Sequence, residues 1–157
     1  RECVGFYSPN CGTGGGSIQP KYQFSQRTTL GFGDVDVSLL WRFLDSVKYE
    51  PQQFEDDLAA ALGDPESCPD PNGADPGGCL DEPAFRNIDS YHYFDLSLRS
   101  GVTENVSLTF SVENLTDKKP PLVGSTIGST AFNSGNTYPS TYDALGRKFA
   151  ASARVRF

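Results

Sequence analysis

The chain has 157 residues, of which 37% are hydrophobic, and a formal net charge of −7. This length suits one modest domain. A membrane-spanning helix is excluded, because the apolar runs are only a few residues long and the mean hydropathy is −0.41. The acidic balance excludes a basic nucleic-acid interface, whereas a transmembrane β-barrel is not excluded, because alternating strands average out the hydropathy.

Residues 1–20 are predicted to form an irregular external loop. They contain Cys3 and Cys11 in a stretch rich in glycine, proline and serine. The glycine-rich run at 12–17 lacks the Gly-Lys-Ser/Thr ending of a phosphate-binding loop, so we interpret it as a loop tip.

Residues 21–32 and 35–49 are predicted to be the first two strands, joined by a tight turn. In the second strand, every other residue is apolar and the residues between them are mixed. This period of two is typical of a strand whose two faces differ. The apolar parity holds Val35, Val37, Leu39, Trp41 and Phe43. The alternation is weaker in the first strand, where it rests on Tyr22, Phe24, Thr28 and Leu30.

Residues 45–89 are predicted to be a long acidic external loop with one short helix. The segment holds twelve acidic residues and two basic ones. Pro51 is suited to a first helical position and Gly63 to the position after the last turn, so we expect the helix between them. The later part of this segment is rich in Asp and Pro, and its carboxylates could bind calcium. The spacing of its acidic residues does not match a calcium-binding loop, so we favour a rigid surface hairpin.

The four cysteines form two local couples and allow three pairings. We predict the disulfides Cys3–Cys11 and Cys68–Cys79, because each couple lies in a stretch that closes a short loop easily. Zinc binding is the rival hypothesis, although the spacings are long for zinc knuckles. Disulfides indicate an oxidising compartment such as the periplasm or the cell surface.

Residues 90–100, 104–114 and 147–157 are predicted to be three further strands, with a second long external loop at 115–146. Their apolar parities hold Phe94, Leu96 and Leu98, then Val106, Leu108, Phe110 and Val112, then Phe149, Ala151, Ala153, Val155 and Phe157. The chain's single imidazole, His92, lies in an aromatic strand end. We therefore predict no catalytic site, no metal site and no cofactor.

Short and long connections alternate strictly along these five strands, so all long loops should emerge at one end of the sheet. This asymmetry is typical of an outer-membrane barrel, with apolar residues facing lipid and polar residues facing the lumen. A soluble, secreted, disulfide-stapled β-sandwich that binds a ligand through its loops is the alternative. The sandwich explains the alternation equally well, but it does not predict loops segregated by length.

Two stretches carry a resemblance to a known family. The segment Val-Glu-Asn-Leu-Thr-Asp-Lys-Lys-Pro-Pro at 112–121 and the final residues 136–157 resemble the C-terminal end of TonB-dependent outer-membrane receptors. The matching elements are Tyr138-Pro139, Tyr142-Asp143, Gly146-Arg147 and the terminal Phe157. The resemblance is strongest over residues 89–157 and looser over 21–49.

The resemblance implies an all-β fold: an antiparallel up-and-down meander of five strands that is the C-terminal part of a 22-stranded transmembrane β-barrel. On this basis we expect residues 1–157 to be the last part of a receptor in the outer membrane of a Gram-negative bacterium. Such receptors take up a scarce nutrient, of the siderophore, vitamin or saccharide class, with energy delivered by TonB, and they are not enzymes.

The same resemblance implies partners and residue roles. The expected partners are outer-membrane lipid, the rest of the barrel with its plug, TonB acting through an N-terminal region, the barrel-assembly machinery and a small-molecule ligand. Phe157 resembles the assembly signal that this machinery recognises. The alternation places five charged residues toward the lumen: Arg42, Asp95, Arg99, Arg154 and Arg156. They either contact the plug or line the path, or they pair with one another.

Overall fold

A computed structural model of the chain describes residues 3–8, 11, 18–62, 87–123 and 137–157. In chain order its elements are β1 (Phe6–Tyr7), β2 (Gln23–Phe32), β3 (Val35–Leu44), β4 (Val47–Tyr49), α1 (Pro51–Leu62), β5 (Asn87–Ile88), β6 (Tyr91–Thr103), β7 (Val106–Glu113) and β8 (Lys148–Val155). The chain divides into two compact units.

The first unit, here called the loop unit, contains Arg1–Lys21, Asp45–Asp89 and Pro121–Tyr142. These three segments coincide closely with the three long loops predicted from the sequence. Three segments that are far apart in the chain thus belong to one compact unit. The described core of this unit is formed by Tyr7, Val47, Ile88, Val123 and Tyr138, each at most 2% exposed.

The second unit, here called the sheet unit, contains Tyr22–Leu44, Ser90–Pro120 and Asp143–Phe157. Its five strands lie in the order β2-β3-β6-β7-β8, which is also their order in the chain, and each neighbouring pair is antiparallel. This is the meander predicted from the sequence. Strands β2 and β8 are the two edges of the sheet.

The connections between β2 and β3 and between β6 and β7 are tight, as predicted. Gly33 has a φ of 62° between β2 and β3, a left-handed conformation that suits glycine in a two-residue hairpin loop. On β6 the register shifts between Gly101 and Thr103, and the backbone N–H of Gly101 donates to the carbonyl oxygen of Asp34 at 2.8 Å. This irregularity lets β6 run three residues past the predicted end at residue 100.

The prediction of a single strand over residues 35–49 is wrong beyond Leu44. Strand β3 ends at Leu44, and β4 belongs to a separate small sheet, where it pairs parallel with β1 and antiparallel with β5. Asp45 occupies a position of the apolar parity, and its Oδ1 accepts the backbone N–H of Ser46 at 2.9 Å. A local side-chain to backbone bond of this kind competes with strand pairing and ends the strand.

The predicted helix is confirmed as α1. The backbone N–H of Phe54 donates to the carbonyl oxygen of Glu50 at 2.9 Å, so the helix begins directly after Glu50 with Pro51 as its first residue. Its predicted C-terminal glycine, at position 63, lies outside the described residues.

The disulfide Cys3–Cys11 is present in the loop unit, with the two Cα atoms 5.1 Å apart. Cys11 is buried, and its backbone N–H donates to Ser8 Oγ at 2.9 Å. Cys68 and Cys79 lie outside the described residues, so their pairing stays a prediction.

Candidate functional site

The sheet unit has two faces of different chemistry. The register places the apolar parities of all five strands on one side, here called the apolar face. Its residues are Phe24, Leu30, Phe32, Val35, Val37, Leu39, Trp41, Phe43, Phe94, Leu96, Leu98, Val106, Leu108, Phe110, Val112, Phe149, Ala151, Ala153 and Val155, with Gln26, Thr28, His92 and Ser100 between them.

Among the described residues, no member of the apolar face is buried. Phe110, in a central row of β7, is 53% exposed, and Phe149 at one strand end is 74% exposed. Monomeric soluble proteins rarely expose an apolar patch of this extent. The face is therefore built to contact an apolar medium or an apolar partner.

One end of the apolar face carries a cluster of aromatic rings. Trp41 lies edge-on to Phe24 at 5.0 Å between centroids and is stacked on His92 at 5.8 Å. The indole Nε1 of Trp41 donates to Nδ1 of His92 at 3.1 Å, which places the imidazole within the aromatic row. Rings with one polar atom are favoured where an apolar medium meets water.

The opposite side of the sheet, here called the polar face, carries all the charged strand residues. At the strand ends that lead into the long connections, these charges are paired. Nη2 of Arg42 donates to Oδ1 of Asp95 at 3.1 Å, and Nε of Arg42 lies 3.1 Å from Oδ2 without the alignment of a hydrogen bond. Across β7 and β8, Lys148 Nζ lies 2.6 Å from Glu113 Oε2.

The paired guanidinium also contacts an aromatic ring. It lies 5.2 Å from the centroid of Tyr93, which is 2% exposed. The predicted lumen-facing residues Arg42 and Asp95 thus meet in one ion pair that is held by Tyr93. This pair fixes β3 against β6 rather than leaving a free charge.

At the other strand ends, the remaining predicted residues Arg99, Arg154 and Arg156 lie around one cavity of about 180 Å³, here called the arginine pocket. Its lining is completed by Gly101, Thr103, Glu104, Asn105, Val106 and Ser107. In the described part of the chain these three arginine side chains form no ion pair. The two ends of the polar face therefore differ in how their charges are balanced.

A third feature, here called the junction, joins the end of β7 to the start of β8. Asn114 is fully buried at a φ of 52°; its backbone N–H donates to Asp95 Oδ1 at 2.8 Å, and its Oδ1 accepts the N–H of Lys118 at 2.8 Å. Its amide Nδ2 donates to the Lys118 carbonyl oxygen at 3.0 Å and to Asp143 Oδ2 at 3.4 Å. The backbone and side chain of Asn114 together thus connect β6, the segment after β7 and the segment before β8.

The second half of the junction surrounds Asp117. Its Oδ1 accepts the backbone N–H of Arg147 at 3.0 Å, thirty residues further along the chain, and Lys119 lies 3.0 Å from its Oδ2. The bond from Arg147, followed by the bond from Lys119, lowers the pKa of Asp117 below its ordinary value. A Cβ atom on Gly146 would lie 2.9 Å from Asp117 Oδ1.

The junction explains why the family-like residues are spaced as they are. Asn114 and Asp117 belong to the first family-like stretch, and Asp143, Gly146 and Arg147 belong to the second. Sequence reasoning noted both stretches but missed that they contact each other.

The loop unit contains buried hydroxyl and carboxyl groups. Glu50 is 3% exposed and accepts a hydrogen bond from Ser8 Oγ at 2.6 Å, while Tyr49 donates its hydroxyl to Asp57 Oδ2 at 2.7 Å. The ring of Tyr7 lies edge-on to Tyr49 at 5.6 Å and to Tyr138 at 6.1 Å.

Burial raises the pKa of Tyr7, and burial followed by the bond to Asp57 raises the pKa of Tyr49. Burial also raises the pKa of Tyr138 to about 12. These phenols are therefore neutral at physiological pH. Across the described ranges, no three histidine, cysteine or acidic residues come together as a metal site, and no helix is long and apolar enough to cross a membrane.

No protein-family profile matches the chain, and no curated protein sequence matches it. Three similar solved structures are receptors or transporters. They are the ferric-catecholate import receptor Fiu of E. coli K12 (17% identity, TM-score 0.49), the ferric enterobactin receptor PfeA of Pseudomonas aeruginosa (15%, 0.49) and the copper transporter OprC (19%, 0.45).

The matches cover 89%, 86% and 86% of this chain, but only 15%, 16% and 17% of the three structures. The chain thus spans about a sixth of the length of each protein that it matches.

Proposed function

We propose that the sheet unit is part of the wall of a transmembrane β-barrel in the outer membrane of a Gram-negative bacterium. The observation that carries the proposal is the exposed apolar face, which continues across all five strands while the opposite face holds the charges. A strand that lies between lipid and a polar interior has this division.

The strand length fits the proposal. Strand β3 has ten residues, and at about 3.4 Å per residue with a tilt of about 40° it rises roughly 26 Å. The apolar band of an outer-membrane barrel is about 25 Å tall. The aromatic rings of Phe24, Trp41 and Phe43 lie at one end of this span, where the membrane interface would be.

The soluble β-sandwich is disfavoured by the same observation. A sandwich buries one face of each sheet against another sheet. Neither face of the described sheet is covered in that way, because its only buried strand residues are Tyr91 and Tyr93 at one end of the polar face.

We further propose that the complete protein is a receptor that takes up a scarce nutrient of the siderophore, vitamin or saccharide class, with energy delivered by TonB, and that it is not an enzyme. The resemblance of residues 112–121 and 136–157 to TonB-dependent receptors supports this. The expected partners are lipid, the rest of the barrel with its plug, TonB, the assembly machinery and a small-molecule ligand, and the loop unit would face that ligand.

Cysteine scanning along β7 tests the membrane wall. Single cysteines replace Leu108, Thr109, Phe110 and Ser111 in the full-length protein, and isolated outer membranes are labelled with a lipid-dissolved or a water-soluble maleimide. The expected result is a strict alternation: lipid-phase labelling at Leu108 and Phe110, aqueous labelling at Thr109 and Ser111.

The same experiment distinguishes the membrane wall from the soluble β-sandwich. In a soluble sandwich, the protein would be recovered without detergent, and positions 108 and 110 would react with neither reagent until the protein unfolds. Labelling of all four positions by the aqueous reagent in the native state would contradict both structures.

A further inference from the structure

The polar face has a second cavity, here called the serine pocket, with a volume of about 270 Å³. The register puts Ser97 of β6 directly across from Ser111 of β7, so two hydroxyl side chains lie next to each other in the pocket. The other polar-face residues that line it are Arg27, Leu40, Asp95 and Glu113, and Leu96 and Val112 lie between these positions in β6 and β7.

The two hydroxyl groups of the pocket are not used by the fold. Ser97 and Ser111 are half-buried, and neither side chain forms a hydrogen bond with a described residue. The nearby hydroxyl groups of Thr29 and Ser38, by contrast, lie 2.9 Å apart and bond each other. A serine hydroxyl both donates and accepts hydrogen bonds. The pair in the pocket therefore keeps its donors and acceptors for water or for a bound group.

The carboxylates of the pocket are already paired with cations. Asp95 accepts a hydrogen bond from Arg42, and Glu113 lies 2.6 Å from Lys148 Nζ. The register of β6 and β7, continued by one residue, makes the two acids strand neighbours. An anion lying on these strands would meet both carboxylates, and a cation would compete with Arg42 and Lys148 for them. The charges therefore favour a neutral ligand.

The hydrogen-bonding groups of the pocket fit a ligand that carries several hydroxyl groups. A sugar hydroxyl donates and accepts like the serine hydroxyls beside it, and a paired carboxylate still has lone pairs that accept. Arg27 donates to Ser38 Oγ at 3.4 Å and has further N–H groups to donate. Leu40 adds an apolar side chain that suits the C–H groups of a sugar ring.

The size of the cavity limits what can enter. About 270 Å³ is just below the roughly 300–1,000 Å³ of sites that enclose a drug-sized ligand. The pocket therefore suits one ring of a larger molecule rather than the whole of it.

We propose that the serine pocket binds one ring of a neutral saccharide, with Ser97 and Ser111 bonding its hydroxyl groups. The inference rests on the proposed nutrient receptor, since it takes the polar face as the inner side of the wall. It narrows the nutrient from three classes to one and assigns two residues to its recognition.

Calorimetric titration of the purified full-length protein, in a detergent without a sugar headgroup, tests this. The probes are four neutral trisaccharides: maltotriose, cellotriose, xylotriose and mannotriose. Anionic trigalacturonic acid and cationic triglucosamine are the charged comparisons. The expected result is saturable binding of at least one neutral trisaccharide and weaker binding of both charged ones.

The variants Ser97→Ala and Ser111→Ala, made separately, each remove one hydroxyl group. Each should raise the dissociation constant of the bound trisaccharide about three- to tenfold, as expected for the loss of one hydrogen bond. Ser97→Thr keeps a hydroxyl group and should bind like the unaltered protein. Ser152→Ala is the matched control and should also leave binding unchanged, because Ser152 faces Thr109 on the same side of the sheet but lies outside the pocket.

Tighter binding of a charged trisaccharide, or equal effects at positions 97, 111 and 152, would overturn the proposal. Fractionation of the cells that supply the protein distinguishes this failure from failure of the barrel wall. A protein that is absent from the outer membrane would overturn the wall, whereas a correctly located protein that binds no neutral trisaccharide would overturn the serine pocket alone.

Discussion

Replacing Phe110 by arginine should distinguish a lipid-facing sheet from a soluble one by the size of its effect. Phe110 lies in the middle of β7, in one row with Leu98 and Ala151, and is 53% exposed. In a soluble protein the substitution loses the contacts of a half-buried ring, about 1 kcal/mol if full burial of phenylalanine is worth 1.5–3 kcal/mol.

In a membrane wall the same substitution has two costs. Lipid covers the exposed half of the ring, which adds about 1 kcal/mol to the contacts that are lost. An arginine on the lipid face near the bilayer midplane costs about 2–4 kcal/mol more. The expected loss in unfolding free energy is therefore about 4–6 kcal/mol.

The assay is guanidinium unfolding of the full-length protein in lipid vesicles. Ser111→Arg is the matched control, because Ser111 lies on the polar face between Ser97 and Ala150 and has no cation in its row. Thr109 is a poorer control, since Arg99 faces it directly. The control should lose less than about 1 kcal/mol, within the range of ordinary exposed substitutions. Equal losses at 110 and 111 would refute a strand that separates lipid from water.

Three further changes test the junction and the chain end. Gly146→Ala should lose about 1–3 kcal/mol of unfolding free energy, because φ is 77° and the new Cβ would lie 2.9 Å from Asp117 Oδ1. The control Gly33→Ala, at a φ of 62° with no atom within contact distance of the new Cβ, should lose less. Equal losses in the two variants would contradict the contact with Asp117. Asn114→Gly keeps the left-handed backbone but removes the amide, so denaturant unfolding should still show a loss of about 1–3 kcal/mol, and an unchanged midpoint would contradict the network. Deletion of Phe157 should reduce the amount of protein in the membrane and Phe157→Tyr should restore it, whereas normal insertion of the deletion variant, measured by quantitative immunoblotting of outer membranes, would rule out an assembly signal.

The sheet could be predicted from the sequence because every strand carries its own periodicity. Alternation of apolar and polar residues fixes which face each side chain occupies, so even the weakly patterned β2 pairs in the expected parity, with Phe24 opposite Phe43 and Leu30 opposite Val37. The helix could be predicted for a similar reason, since Pro51 marks its start.

The small sheet of the loop unit could not be predicted, because strands of two or three residues carry no period. Val47 continues the apolar parity of β3, and only the local bond of Asp45 separates the two strands. The split between paired and unpaired arginines was also beyond the sequence. Arg42 pairs with Asp95, whereas Arg99, which lies between Asp36 of β3 and Thr109 of β7, and Arg154, which faces Ser107, form no ion pair among the described residues.

The junction fixes the start of β8 independently of the length of the loop that connects it to β7. The bond from Arg147 to Asp117 and the bond from Asn114 to Asp143 close this loop at its base, so residues at the two ends of the loop position the start of β8. The entropy of closing a loop grows only slowly with its length. Segments of different length or sequence can therefore be grafted between the core residues Val123 and Tyr138 without disturbing the register of β8.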